Sequence, residues 1–289
     1  MAVVTPMTPE REVDLPRLRA HATWLVEEGV DVLMPCGTTG EGATLSPDEQ
    51  AQVVEACVEA AEGRVPVFAG AGSSRTETAR SLARGARKAG AQGVLCVTPP
   101  YNRPTQEGLY RHFVEVAEGA GGIPMVLYNV PGRTGVNLLP DTVFRLAELE
   151  PVVAVKEASG NLDQVMTLTR DRPRGFQVLA GDDALALPIL ALGGDGLVSV
   201  VGNEAPAQAA RLVREALEGN FGEARRVHEK LLPLMRANFI ESNPVPVKTA
   251  LGIMGRMDPH FRLPLVPLRP ESERTLRSAL VTAGLMEGD

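Results

Sequence analysis

Eight short runs of apolar residues recur along the chain, at positions 2–5, 31–35, 65–69, 93–98, 124–128, 152–156, 177–180 and 197–201. Each is continuously hydrophobic rather than alternating, the pattern of a strand covered on both faces. The stretches between them carry helical signals. Ser46-Pro47-Asp48-Glu49 offers a capping hydroxyl, a proline at the first helical position and a glutamate three residues past the cap, ahead of a helical run at 51–62 and a stop at Gly63. Ser74 to Glu77 repeats the capping pattern before a helix at 78–89 that Gly90 closes. Eight strand-then-helix units predict a closed (β/α)8 TIM barrel. An open doubly wound sheet is the other arrangement such alternation permits, and it rarely keeps so regular a count.

After the eighth run the pattern changes to helices at 206–217, 221–240, 247–254 and 271–283. One completes the barrel and the rest form a C-terminal helical extension. The expected division is a catalytic barrel at 1–219 and an extension at 220–289, with no low-complexity linker to separate them.

Composition narrows the function. The 289 residues are 44% hydrophobic and 22% charged, enough apolar sequence for a sizeable core, and the net charge of −7 disfavours a nucleic-acid partner. No run approaches the roughly 18 apolar residues of a membrane span, and no basic segment precedes an apolar one at the start. Cys36, Cys57 and Cys96 are too few and too widely spaced for a disulfide framework or a metal-binding CxxC, which fits a cytoplasmic enzyme. The four histidines are scattered, no GxSxG elbow exists, and Gly70-Ala71-Gly72 lacks the third glycine of a dinucleotide turn. No metal and no organic cofactor is expected. Asp182-Asp183 reads as hydrogen-bonding carboxylates rather than metal ligands.

In a barrel of this kind the reacting groups lie at the C-terminal ends of strands. Only four of the 29 basic residues are lysines, and one of them, Lys156, ends the apolar run at 152–156. An amine with an unperturbed pKa of about 10.4 is a poor nucleophile at neutral pH, and apolar surroundings free its lone pair for attack on a carbonyl. The competing reading is a structural lysine paired with Glu157, but strand alternation sends that carboxylate to the opposite face. Tyr128 ends the preceding strand and can carry a proton; Tyr101 also falls at a strand end. Thr38 and Thr39, in a glycine-flanked turn, offer hydroxyls and backbone N–H groups for a small carboxylate, and Arg133 offers a bidentate fork for a second one.

At these residues the sequence resembles the dihydrodipicolinate synthase family of the pyruvate-dependent class I aldolase superfamily. The likeness runs nearly end to end: Val4-Thr5-Pro6-Met7, Gly37-Thr38-Thr39-Gly40-Glu41, Tyr101-Asn102-Arg103-Pro104, Tyr128-Asn129-Val130-Pro131, Arg133-Thr134-Gly135, Val155-Lys156-Glu157-Ala158, Gly181-Asp182-Asp183, Gly196-Leu197-Val198-Ser199 and Asn243-Pro244-Val245-Pro246-Val247-Lys248. The resemblance implies that Lys156 forms a Schiff base with pyruvate and Tyr128 relays protons. It implies that Thr39 links Tyr128 to Tyr101 of a neighbouring subunit, within a homo-oligomer that is usually a tetramer, although a dimer suffices for the relay. Thr38 and Thr39 would hold the pyruvate carboxylate, helped by Gly181 and the backbone of Val198. Arg133 would orient L-aspartate 4-semialdehyde, in lysine and diaminopimelate biosynthesis.

Sialic acid lyases and 2-keto-3-deoxy acid aldolases share the lysine but tend to lack the arginine, so they are the alternative. A catalytically idle barrel is a further one, opposed by the intact set of Lys156, Tyr128, Thr39 and Tyr101. The positions that bind inhibitory lysine in regulated relatives correspond to Pro47, Gln50, Ser74, Thr78 and Pro100. These supply little for an amino-acid ligand, so weak or absent feedback inhibition is expected.

Overall fold

A computed structural model of the chain describes residues 1–287. Its elements are α1 (Leu15–Glu27), α2 (Pro47–Ala61), β1 (Phe68–Gly70), α3 (Thr76–Lys88), β2 (Gly93–Val97), α4 (Gln106–Ala120), β3 (Met125–Asn129), α5 (Pro131–Thr134), α6 (Pro140–Ala147), β4 (Val152–Glu157), α7 (Leu162–Asp171), β5 (Gln177–Ala180), α8 (Ala186–Ala191), β6 (Gly196–Leu197), α9 (Pro206–Leu217), α10 (Phe221–Ala237), α11 (Val245–Ile253) and α12 (Pro270–Ala283). The six strands form one parallel sheet in sequence order, with helices in the crossovers.

Six of the eight predicted runs therefore make the continuous ladder. The runs at 2–5 and 31–35 take part only through isolated parallel bridges, Leu33 with Val67 beside β1 and Met34 with Ala2. The N–H of Ala2 also donates to the carbonyl of Ser199, just past β6, at 3.0 Å. Pro6, Pro35 and Pro66 account for the short pairing: none carries an N–H, and each stands where the ladder would otherwise extend.

Alternation along the strands sorts two cores. Val94, Cys96, Met125, Leu127 and Val155 join the cluster that holds Leu109 and Phe113 of α4, the face under the helices. Leu95, Val126, Tyr128 and Ala154 point the other way and pack with Ala2, Met34 and Val198. Tyr128 thus faces away from the helical layer, and Lys156, two residues past Ala154, falls on the same side.

The C-terminal helices share a core with the sheet. Ala180 of β5, Leu212 of α9, Leu231 and Leu234 of α10, and Leu276 and Leu280 of α12 belong to one buried cluster. Val247 and Leu251 of α11 pack on Val4 and Val200, which brings this helix to the same end of the molecule as the turns described below.

Local signals hold unevenly. The capping box at α2 forms, with the Glu49 N–H donating to Ser46 Oγ at 3.2 Å and the Ser46 N–H to Glu49 Oε2 at 2.8 Å. The predicted Ser74 cap does not: α3 starts at Thr76 behind Arg75 with no side-chain cap, and Ser73 Oγ accepts the Arg75 N–H in a local turn instead. α11 begins two residues ahead of the predicted 247, since Pro246 lies in its first turn, where no N–H is needed. Among the described residues no helix is long and apolar enough to cross a membrane.

Candidate active site

Tyr128 and Lys156 are register partners on β3 and β4, so their side chains leave adjacent strands on one face. The Lys156 ammonium lies 4.2 Å from the centroid of the Tyr128 ring, and both residues are buried. Among the described residues Lys156 makes no ion pair. Glu157 points to the helical side, where its carboxylate accepts from the Asn129 and Gln164 amides, both at 3.0 Å, and from the Ser159 N–H at 2.6 Å. A lysine buried with an aromatic face and no carboxylate has a nucleophile's surroundings rather than those of a structural ion pair.

The turn from Cys36 to Gly42 forms the neighbouring wall. Cys36 and Glu41 both sit in the left-handed region, at φ 59° and 53°, a conformation costing on the order of 1 kcal/mol or more for residues with a Cβ. Gly40 and Gly42 press on the Cys36 backbone so closely that a Cβ would meet it at 2.9 Å and 2.1 Å. The turn is held by several contacts. The Thr5 hydroxyl donates to the Gly40 carbonyl at 2.7 Å, and the Asn243 amide donates to Thr39 Oγ1 at 3.0 Å. Lys248 donates to Glu41 Oε1 at 2.5 Å, with both side chains wholly buried. Burial pushes the Lys248 ammonium below the usual lysine range, and the Glu41 carboxylate pulls it back up.

A cavity of about 360 Å3 opens beside these groups, and its wall includes Thr38, Leu95, Tyr128, Val130, Arg133 and Asn243. A hydroxyl, a phenol and a guanidinium beside Leu95, Val97 and Val130 suit a small oxoacid, and the Glu41 carboxylate and the Asn243 amide share the wall. Arg133 is placed by α5, the single helical turn that follows β3. Lys156 does not line the cavity itself; its ammonium lies against the ring of Tyr128, which does.

The other predicted site residues divide. Gly181 lies against the lysine stem, where a Cβ would sit 3.0 Å from Lys156 Cγ, so any larger residue would displace it. Val198 packs its side chain with Tyr128, and its N–H donates to the Ala180 carbonyl, which leaves only its own carbonyl for a ligand. Thr39 is buried behind Thr38 rather than on the cavity wall. Tyr101 is 91% exposed, at φ 77°, and lies outside the cavity of its own chain, while the adjacent Pro100 lines it. Asp183 holds backbone, accepting from Ser199 Oγ and from the N–H groups of Val200 and Val201. All three cysteines are buried, and burial pushes the Cys57 and Cys96 thiols up to about 12, so neither is poised as a nucleophile.

Sequence pattern left Asn243, Glu41 and Lys248 without roles. The available signal was Lys248 itself, a lysine inside the apolar stretch 245–251.

Residues 1–283 match the dihydrodipicolinate synthetase family. The chain is 49% identical over 286 residues to the 4-hydroxy-tetrahydrodipicolinate synthase of Nitratidesulfovibrio vulgaris strain Miyazaki F, covering 99% of this chain and 97% of that one. Its fold superposes on a crystal structure of a dihydrodipicolinate synthase with a TM-score of 0.95, at 49% identity over 99% of this chain and 98% of that one. The chloride-inhibited dihydrodipicolinate synthase of Acinetobacter baumannii, complexed with pyruvate, matches with a TM-score of 0.96 at 41% identity, over 99% and 98% of the two chains. With a full-length family match, near-half identity and the same backbone, this chain belongs to the dihydrodipicolinate synthetase family.

Proposed function

We propose that the chain condenses pyruvate with L-aspartate 4-semialdehyde to give 4-hydroxy-tetrahydrodipicolinate, a step of lysine and diaminopimelate biosynthesis, in the cytoplasm. The observation that carries the reading is a buried lysine with no carboxylate partner, 4.2 Å from a tyrosine ring on the wall of an oxoacid-sized cavity. In this reading the sheet and its two bridged segments close into a (β/α)8 barrel over residues 1–219, and residues 220–289 form the extension.

The chemistry follows from those positions. The neutral Lys156 amine adds to the keto carbon of pyruvate, and the carbinolamine loses water to give an imine, with Tyr128 passing protons to and from oxygen. Loss of a methyl proton gives the enamine, whose carbon attacks the aldehyde. The amine of the second substrate then adds to the imine carbon, closes the ring and releases Lys156. Thr38 and Thr39 bind the pyruvate carboxylate with Gly181 and Val198 completing that wall. In this reading Thr39 links Tyr128 to Tyr101, beside Thr38, which lines the cavity.

Arg133, exposed at the mouth, receives the carboxylate of the aldehyde substrate. Arg133→Ala is expected to raise the KM for aspartate semialdehyde about 10- to 100-fold and to leave that for pyruvate within about twofold. Initial rates of the condensation, coupled to a reductase, measure both. An unchanged aldehyde KM would favour a polyhydroxylated substrate, and pure folded protein without any condensation rate would sink the synthase reading.

The same assay with added lysine tests regulation. Pro47, Gln50 and Thr78 line a second cavity of about 260 Å3 between α2 and α3, together with Arg75 and Glu77. Pro47 has no side-chain donor or acceptor, and the Gln50 amide already donates to the Gly42 carbonyl at 2.9 Å. Lysine at millimolar concentration is expected to leave the rate within about 20% of its starting value, because Pro47, Gln50 and Thr78 bring no charge to the cavity and Glu77, its carboxylate, already faces the Arg80 guanidinium at 3.9 Å. Saturating inhibition at submillimolar lysine would overturn this.

A further inference from the structure

The groups that face the cavity from the Cys36–Gly42 turn are held from the far end of the chain. Asn243 reaches Thr39 at 3.0 Å across 204 residues, and Lys248 reaches Glu41 at 2.5 Å across 207. Lys248 also donates to the His260 carbonyl at 2.6 Å, and the Arg262 N–H reaches Glu41 Oε2 at 3.4 Å. The Arg262 guanidinium grips Glu49 through two bonds and donates to the Thr44 carbonyl at 3.0 Å. Apart from the Lys248 bond to His260, these contacts end on the turn or on the residues that follow it up to Glu49. None touches Lys156, Tyr128 or Arg133.

We infer that Asn243 and the Lys248–Glu41 pair are positioning residues for Thr38 and Thr39, so that the C-terminal extension sets the geometry of the pyruvate-carboxylate site. Three observations converge on this. Glu41 and Cys36 keep left-handed backbones that a side chain adopts only when its surroundings fix it, and among the described residues the Lys248 ammonium is the one cation that pairs with Glu41. Asn243 lines the cavity and donates to Thr39, which fixes the residue next to Thr38 in the turn. Val247 and Leu251 seat α11 against Val4 and Val200, so both polar contacts issue from a fixed platform. A carboxylate bound by a turn is sensitive to shifts of a fraction of an ångström; on the strand side the Thr5 hydroxyl and the close backbone of Gly70 support this turn, and Asn243 and Lys248 hold it from the C-terminal segment.

The inference rests on the pyruvate-dependent reading, and its test separates the two. Removing one charge of the Lys248–Glu41 pair strands the other in a dry interior, so the pair is removed whole as Glu41→Gln with Lys248→Met, which preserves volume. Asn243→Ala, Thr39→Val and their combination complete the set. Each protein is assayed for condensation against both substrates, for borohydride trapping of pyruvate on Lys156 by intact mass, and for its unfolding temperature. The expected result is a pyruvate KM raised about tenfold in the paired charge variant and in Asn243→Ala, with the aldehyde KM within about twofold and trapping at low pyruvate slowed in proportion. The combined Asn243→Ala and Thr39→Val variant should be no worse than the poorer single one, as expected of one interaction removed twice.

Variants that unfold at lower temperature but keep the parent pyruvate KM in their folded fraction would overturn the inference and leave a purely structural strut. Trapping in the parent without condensation would remove the aldehyde assignment alone, and the pyruvate dependence of trapping would still decide the matter. No adduct in the parent would overturn both readings.

Discussion

Lys156→Ala is expected to lower the condensation rate at least about a thousandfold and to abolish the borohydride-trapped pyruvate adduct, because no other lysine is placed to take over the covalent step. Lys88 and Lys230 lie on the helices α3 and α10, and Lys248 is locked against Glu41. The loss must appear without unfolding if it is chemical. Among the described residues Lys156 makes no ion pair, so its removal strands none of their carboxylates, in contrast to any change at Lys248. Lys156→Met, which keeps most of the side-chain volume and removes the charge, is therefore expected to unfold at or above the parent temperature while losing the same activity. A trapped adduct in either variant, or a residual rate within tenfold of the parent, would move the nucleophile elsewhere and dismantle the mechanism.

The reason Lys156 was legible in the sequence is local. A charged residue ending an apolar run violates the pattern of its own strand, and period-two alternation then assigns Glu157 to the far face, where it is found among Asn129, Gln164 and Ser159. The same alternation placed Tyr128 with it. Thr38 and Thr39 were harder, because they lie in a turn, where no period applies. Their division of labour depends on left-handed backbones at Cys36 and Glu41, which are not glycines and carry no sequence signal. Asn243 and Lys248 were illegible in a stronger sense: their partners lie about 200 residues away, and local pattern has no access to such pairings. The two N-terminal runs were read as full strands because hydrophobicity reports burial and not hydrogen bonding, and their prolines cut the ladder to single bridges.

Tyr101 poses the remaining question, since it does not line the cavity of its own chain. Its ring is 91% exposed, yet its backbone is fixed at φ 77°, with the N–H donating to the Thr134 carbonyl at 3.0 Å. An exposed aromatic held rigidly beside the cavity mouth is suited to enter the corresponding mouth of a second copy, where its phenol would extend the relay that starts at Tyr128 and passes the threonine turn. Tyr101→Phe is accordingly expected to lower kcat about a hundredfold while leaving the protein folded. The decisive measurement mixes two inactive proteins. When Lys156→Ala and Tyr101→Phe chains exchange subunits, a mixed dimer contains one site with an intact lysine and an intact tyrosine contributed by its neighbour. Random exchange at equal amounts should restore activity to about a quarter of that of the parent, because half of the dimers are mixed and each has one working site of two. If Tyr101 serves its own chain, no mixture regains activity, since every site then lacks either the lysine or the tyrosine. The rescue depends only on which subunit supplies the phenol, so it reads the architecture of the relay directly from a rate.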